Sequence, residues 1–418
     1  FTQYFKNRLY YIDVKGMLSS LHGSAGAITA LQNSVAHYYQ RASSADYLGV
    51  DPTRRSLTGT GGYVKVGRKG NAKWNFSETF TWSSPGFDLN DMGYMKETDY
   101  LMNETEIMYR QTDIWKIFRY NAFTLSQKNM WNYGGTPFSN NASLRWQSMT
   151  MNRYEWDVKE TFAWNWLDSR LLRGGPDVRF GSYFLTSAKF NTDKAKRMMF
   201  MLKYEGDHNF EGNRFNTISP SLTFRLGNHV YLSGQLDYAW NTDEMQYVAT
   251  TSPLSSSSLT PYYYVMGHMD QKTYGLTLKL QVNVTPDISI QFYGAPFTSI
   301  AKYDDFKLAA DTKSHTFENR FQRIDPDQLT YADGVYTIGE GAGQMPFRNP
   351  DFRFNEFRSN LVARWEYLPG STLYFVWEHR MSNRDNWYSS GWGSNLDRMW
   401  GLPATNTFMI KMNYWFNL

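Results

Sequence analysis

The sequence predicts an all-β fold: a closed antiparallel transmembrane β-barrel of about 16 strands, with short periplasmic turns and long extracellular loops. Three observations lead there. In the last thirteen residues, Thr407, Met409, Lys411, Asn413, Trp415 and Asn417 alternate with Phe408, Ile410, Met412, Tyr414, Phe416 and Leu418. A strand sends successive side chains to opposite faces, so this segment separates a mostly polar environment from a wholly apolar one. Aromatic residues make up 17% of the chain (30 Tyr, 28 Phe, 15 Trp), far above ordinary soluble usage and suited to the girdles of a barrel. Mean hydropathy is −0.57, and no apolar run approaches the ~20 residues that a transmembrane helix needs.

Taken in order, strands are expected near 8–22, 57–67, 72–84, 98–110, 114–130, 141–151, 155–166 and 178–191. The second half adds 195–206, 213–226, 229–249, 261–284, 287–303, 355–368, 371–384 and 403–418. The clearest is Tyr274–Val284, where Gly275, Thr277, Lys279, Gln281 and Asn283 oppose Tyr274, Leu276, Leu278, Leu280, Val282 and Val284. Thr285-Pro286-Asp287 then turns the chain, and Ile288, Ile290 and Phe292 lead it back. Leu368-Pro369-Gly370-Ser371 is a second strong turn. Segments 114–130 and 141–151 alternate poorly. Glu78 and Glu160 fall on the lipid rows of their strands, either near a rim or because the register is inverted there. Closure requires the last strand to pair with Leu9–Ser19, which brings Lys411 near Asp13 on one face.

Composition narrows function by exclusion. The net charge of +4 is spread along the chain without a basic stripe, so nucleic-acid binding is not expected. There is no cysteine, which removes disulfides and thiolate metal sites. Residues 1–7 read as a linker from an upstream domain, and 8–418 as the barrel. The chain starts at Phe1, so a signal segment is expected upstream.

The loops carry a family likeness. Tyr-Tyr-Gln-Arg (38–41), Asp-Pro-Thr-Arg (51–54) and Ser-Pro-Gly-Phe-Asp-Leu-Asn-Asp-Met-Gly-Tyr (84–94) are followed by Arg-Gly-Gly-Pro (173–176). Asn-Pro-Asp-Phe-Arg-Phe-Asn-Glu-Phe-Arg-Ser-Asn (349–360) and Arg-Trp-Glu-Tyr-Leu-Pro-Gly-Ser-Thr-Leu (364–373) are the most specific pieces. On these segments the chain resembles a large bacterial family of outer-membrane barrels of unknown function. In that family the barrel usually follows a periplasmic domain similar to family-nine carbohydrate-binding modules. The resemblance implies such a domain upstream. Members are often labelled hydrolases, but no catalytic residue carries over. The matched loop positions are Tyr39, Gln40, Arg41, Asp51, Arg54, Gly86, Phe87, Asp88, Asn90, Asp91, Arg173, Gly174 and Gly175.

The expected lumen carries mixed charge. Its first half contributes Asp13, Lys15, Glu104, Glu106, Arg110, Asp157 and Lys159. Its second half contributes Arg197, Lys203, Glu205, Arg225, Asp237, Lys279, Arg358, Arg364, Glu366, Glu378, Arg380 and Lys411. These residues either line a passage or neutralise one another in a filled barrel, and the close mixture of signs favours pairing. Loops 23–56 and 304–354 are long enough to plug the barrel or to bind from outside. The first holds a short helix near Ala25–Leu31. The second carries Asp325, Asp327 and Asp333-Gly334, which lack calcium-loop spacing and read as a solvated acidic loop. Asp88 and Asp91 are the weak catalytic candidates, a carboxylate pair that reads better as a self-bonded tight loop. None of the seven histidines has metal-ligand spacing, and no Gly-x-Ser-x-Gly element is present. No cofactor and no metal are expected. The expected partners are outer-membrane lipid and lipopolysaccharide, the outer-membrane assembly machinery, and other outer-membrane proteins or glycans. The leading functional expectation is a transport or binding barrel in the outer membrane of a Gram-negative bacterium. The alternatives are a plugged scaffold or accessory subunit, and a membrane-bound hydrolase.

Overall fold

The structure is a computed structural model. It describes residues 1–418 apart from 42–46, 71, 91–92, 165, 255–261, 387–390 and 417–418. The chain begins with β1 (Thr2–Phe5), β2 (Tyr10–His22), α1 (Ala25–Asn33), β3 (Ser56–Arg68), β4 (Trp74–Ser83), β5 (Tyr100–Gln111), β6 (Phe118–Trp131), β7 (Pro137–Thr150) and β8 (Glu155–Trp164). It continues through β9 (Trp166–Asp168), β10 (Val178–Phe180), β11 (Tyr183–Asn191), β12 (Met198–Asn209), β13 (Arg214–Leu226), β14 (Val230–Thr251), β15 (Tyr263–Asn283) and β16 (Ile288–Ala309). Next come β17 (Phe321–Arg323), β18 (Leu329–Ala332), β19 (Val335–Ile338), β20 (Met345–Arg348), β21 (Phe352–Leu368), β22 (Ser371–Asp385), α2 (Trp392–Trp400) and β23 (Thr405–Asn413).

Most of these strands form one antiparallel meander of eighteen strands among the described residues. β8 joins β11 and β16 joins β21, while β9 with β10 and β18 with β19 and β20 make separate small sheets at the long-loop end. Each range expected to hold a strand contains one. The turns form for local reasons. Between β15 and β16 the Thr285 hydroxyl accepts from the backbone N–H of Asp287 (3.2 Å) and Ile288 (3.0 Å). After β21, Gly370 takes φ +80°, and its N–H donates to Glu366 Oε1 at 3.1 Å.

The ladders define two faces. The outer face carries Phe123, Leu125, Leu144, Phe162, Leu222, Leu232, Leu236, Leu278 and Phe375, all exposed. Two bands of rings bracket it, with Trp74–Tyr109 and Trp156–Phe190 toward the short turns and Phe80–Trp82, Phe162–Trp164 and Tyr238–Trp240 toward the loops. Glu78 and Glu160 do lie on this outer face, so the alternation was in register. Glu160 accepts from Thr186 Oγ1 at 2.7 Å.

Several expectations are corrected. The barrel is not seen closed: β23 pairs with β22 alone among the described residues, and all its residues are exposed. The edge of β2 that β23 was to cover is partly taken by residues 1–7. Within these residues Thr2–Phe5 form β1, which pairs Thr2 with Asp13 and Phe5 with Tyr10. Three positive-φ residues, Lys6, Asn7 and Arg8, make the reversal. The 178–191 strand is split. Val178–Phe180 pairs with β9 and the sheet strand begins at Tyr183, because Gly181 bends the chain and donates its N–H to Glu211 (2.9 Å). β16 runs on to Ala309, past the expected loop start at 304. The last strand ends at Asn413. Phe408, Ile410 and Met412 occupy its outer row, Tyr414 and Phe416 follow it with rings 6.1 Å apart, and Leu418 lies outside the described residues.

Burial concentrates at the long-loop end. Ile28, Tyr39, Leu48 and Leu57 form one cluster; Leu172, Val178, Met245, Met266 and Phe321 a second; Val265, Ala301, Tyr303, Phe306, Ile338 and Phe347 a third. Helix α1 supplies Ile28 to the first and is capped by Ser24, whose hydroxyl accepts from Ala27 N–H at 3.2 Å.

Candidate functional site: a capped cavity on the inner face

A cavity of about 1000 Å³ opens against the inner face of β6, β7 and β11 to β15. The wall supplies Lys128, Asn141, Asp207, Asn209, Asn241 and Gln271, with the rings of Tyr183 and Phe215. The loops supply Arg41, Lys96, Asp99, Trp166, Asp168 and Arg170 as a roof. Amides and carboxylates set beside aromatic rings can hydrogen-bond and stack a polar ligand, the usual arrangement of a selective site.

The roof is built by the motif loops. Phe87 is buried and packs on β3, where a Cβ on inner-face Gly61 would meet its ring at 2.6 Å. Gly86 lies equally close to β3, since a Cβ there would meet Thr58 O at 2.3 Å. Residues 84–88 of the 84–99 loop therefore fold inward over the sheet. His37 is fully buried beneath it, with Nε2 3.0 Å from Asp88 Oδ2 and Nδ1 3.0 Å from Pro85 O. Asp88 also accepts from Asn90 N–H (2.8 Å), and its own N–H donates to Ser19 Oγ (2.8 Å). Asp88 is thus committed to holding its loop, and Asp91 lies outside the described residues.

Arg41 and Asp99 form a buried ion pair at 3.1 Å. Tyr47 donates to the same carboxylate at 2.6 Å, and burial, then that hydrogen bond, pushes the Tyr47 hydroxyl up. Burial also raises Tyr39. Gln40 donates to Asn33 O (3.2 Å). Asp51 accepts from Thr53 N–H (2.9 Å) and Oγ1 (2.7 Å), which lowers its pKa, and Arg54 N–H donates to Asp51 O (3.3 Å). Arg170, in the loop between β9 and β10, is tied to Glu97 in the loop before β5 (2.9 Å). Arg173 stacks its guanidinium 4.6 Å from the Tyr247 ring centre. Gly175 sits where a Cβ would strike the Tyr264 ring, and Gly174 takes φ +111°. On the far side Arg320, 1% exposed, pairs with Glu211.

Register places the other expected charges as follows. Asp13, Lys15, Glu104, Glu106, Arg110, Asp157, Lys159, Lys203, Glu205, Arg225, Asp237, Lys279, Arg358, Arg364, Glu366, Glu378, Arg380 and Lys411 share the inner face. Arg197 sits in the turn before β12 instead. Some are neutralised: Arg145–Asp157, Lys203–Glu205 (2.7 Å), Arg358–Glu356 (2.8 Å), Arg380–Glu356 (2.9 Å) and Arg364–Glu366 (2.5 Å). Asp13 accepts from Thr2 Oγ1 (2.9 Å) and Tyr63 Oη (3.1 Å). Lys15, Glu104, Glu106, Lys159 and Lys279 have no ion-pair partner among the described residues. Asp325 caps a short 3-10 turn by accepting from Asp327 N–H, and Asp333-Gly334 turns β18 into β19. The described residues hold no group of three metal-ligating side chains.

Sequence reasoning missed His37, Asp99, Glu211 and Arg320. His37, Asp99 and Arg320 are buried, and Glu211 largely so, only because distant segments cover them, and local pattern carries no signal of that.

The chain matches the family described as "Domain of unknown function (DUF5916)" over residues 23–418, and it belongs to that family. No curated protein matches it. Among solved structures it is similar to the crystal structure of the siderophore receptor PirA from Acinetobacter baumannii. The TM-score is 0.40 at 10% identity, over 98% of this chain and 69% of that one.

Proposed function

We propose that this DUF5916 chain is an outer-membrane β-barrel that binds a polar ligand in its interior and passes it through. The capped cavity carries this reading, because it sets amides, carboxylates and rings between the loop roof and the inner face. The exposed apolar outer face between two bands of rings supports a lipid-facing wall. Among the described residues no helix is long and apolar enough to cross a membrane. In this reading the barrel closes in the membrane. β1 and Phe1 together cover only Tyr10–Val14, because Phe1 exchanges backbone hydrogen bonds with Val14, so β23 takes the remaining edge of β2, Lys15–His22. Lys411 and Asp13 already share the inner face, as such a seam requires. An upstream periplasmic domain of the carbohydrate-binding kind would capture glycans at the short-turn mouth.

The test is solute flux in proteoliposomes. Sugar or ion flux through the wild type is expected, rising when the roof is loosened by Arg41→Ala. Silence from both proteins would leave the plugged scaffold, a reading favoured by the inward fold of Phe87 and its neighbours. A hydrolase reading is tested by Asp91→Asn, which would have to abolish a measured hydrolysis.

A further inference from the structure

The outer face carries an island of polar side chains within its apolar rows. Glu78 on β4 lies between Phe76 and Phe80. The ladders set Glu78 beside Thr105, and Thr105 beside Gln127. The adjacent rung runs from Phe80 through Asn103 and Asn129 to Asn140. The rungs on either side are apolar: Trp82, Leu101 and Trp131 toward the loops, and Phe76, Ile107, Leu125 and Leu144 toward the turns.

The two ends of the island differ. At the β4 end the Glu78 carboxylate accepts from Asn103 Nδ2 and from Thr105 Oγ1 (2.6 Å). At the β6–β7 end the amides of Gln127, Asn129 and Asn140 have no side-chain hydrogen bond among the described residues. Unpartnered amides in an apolar setting are costly, so this end is built to be covered by something polar.

We propose that the island is the contact with a second copy of this chain, related by a twofold axis along the membrane normal. The proposal rests on the lipid-facing reading of the outer wall. An axis through the β5–β6 region turns the second copy by half a revolution. The β4 end of each island then faces the β6–β7 end of the other. Glu78, an acceptor, meets amides that carry free donors, and it does so twice by symmetry. A second copy fits better than an unrelated protein because the island already holds both halves of the complement.

The experiment measures the mass of the full chain by native mass spectrometry in mild detergent, beside an alkaline membrane extraction. A species near twice 48.8 kDa is expected from protein that stays in the membrane fraction. Gln127→Leu with Asn129→Leu leaves Glu78 and its bonds intact. It should weaken dimerisation by about tenfold or more without loss of β-structure. The chain has no cysteine, so Leu125→Cys introduces a sole thiol near the axis and should give an oxidised dimer. A membrane-embedded monomer overturns the proposal while sparing the barrel, as does a dimer indifferent to the double substitution or a different protein in place of the second copy. A chain absent from the membrane fraction overturns both readings.

Discussion

Replacing Arg320 with methionine should release the roof from one side of the cavity. Arg320 Nε donates to Ser314 O (2.8 Å), and Nη1 donates to Arg179 O (2.7 Å) and Glu211 Oε2 (3.0 Å). Nη2 donates to Glu211 Oε1 (2.7 Å) and His315 O (3.4 Å). One guanidinium therefore ties three loops together, with side chains 1% and 12% exposed for Arg320 and Glu211. Breaking a buried pair from one side costs about 3–5 kcal/mol, mostly the charge left behind. Glu211 keeps the Gly181 N–H and is slightly exposed, so the low end applies, about 3 kcal/mol. That corresponds to roughly a hundredfold more opening of segments 177–182, 209–213 and 311–323. Hydrogen exchange with peptide-level mass spectrometry reads this directly, and the strands β3 to β5 act as an internal control. Arg320→Met with Glu211→Met removes both charges and should recover most of the protection. Unchanged exchange in the single variant would refute the view that this pair holds the roof.

Further outcomes can be set beside it. Leu278→Arg on the outer face should destabilise the membrane-inserted protein by about 2–4 kcal/mol in urea titrations, and Thr277→Arg on the inner face by far less; equal costs would remove the lipid-facing assignment. Met17→Cys with Lys411→Cys, both on the inner face, should be joined by a short thiol bridge in membranes, and failure to link would count against closure at Lys15–His22. Burial raises the Asp351 pKa although its Oδ1 accepts from Tyr303 N–H at 2.7 Å. A raised carboxyl stabilises the fold most below about pH 4 and loses that contribution as pH rises through its folded pKa. The 349–351 loop should therefore exchange faster at neutral pH than at pH 4 once intrinsic rates are removed, and Asp351→Asn should flatten the difference.

Alternation made the sheet readable because its period of two survives wherever one face is apolar and the other polar. Tyr274–Val284 and Ile288–Phe292 came through on that ground, and so did the outer position of Glu78, which at first looks like an error of register. What failed was contextual. Val178–Phe180 continues the pattern of β11, and only the Gly181–Glu211 contact breaks it away. Phe1–Asn7 has no distinctive pattern, and Thr2–Phe5 within it forms a strand against the edge of β2. The roof was legible as motif loops but not as a roof. His37 meets Asp88 51 residues away and Arg320 meets Glu211 109 residues away, distances at which a single sequence gives no pairing signal.

The unequal strand lengths have a consequence for access. β14, β15 and β16 contain 22, 21 and 22 residues, while β8 and β11 contain 10 and 9. At about 3.3 Å per residue the long strands extend roughly 70 Å and the short ones roughly 30 Å. The three tall strands form a palisade, stiffened at its crest by the small sheet of β18, β19 and β20 packed against Phe306. The rim at β8 and β11 is low. In the proposed ligand-binding reading, a bulky ligand would then enter over the β8–β11 side and be stopped by the palisade behind the cavity, so the approach is one-sided.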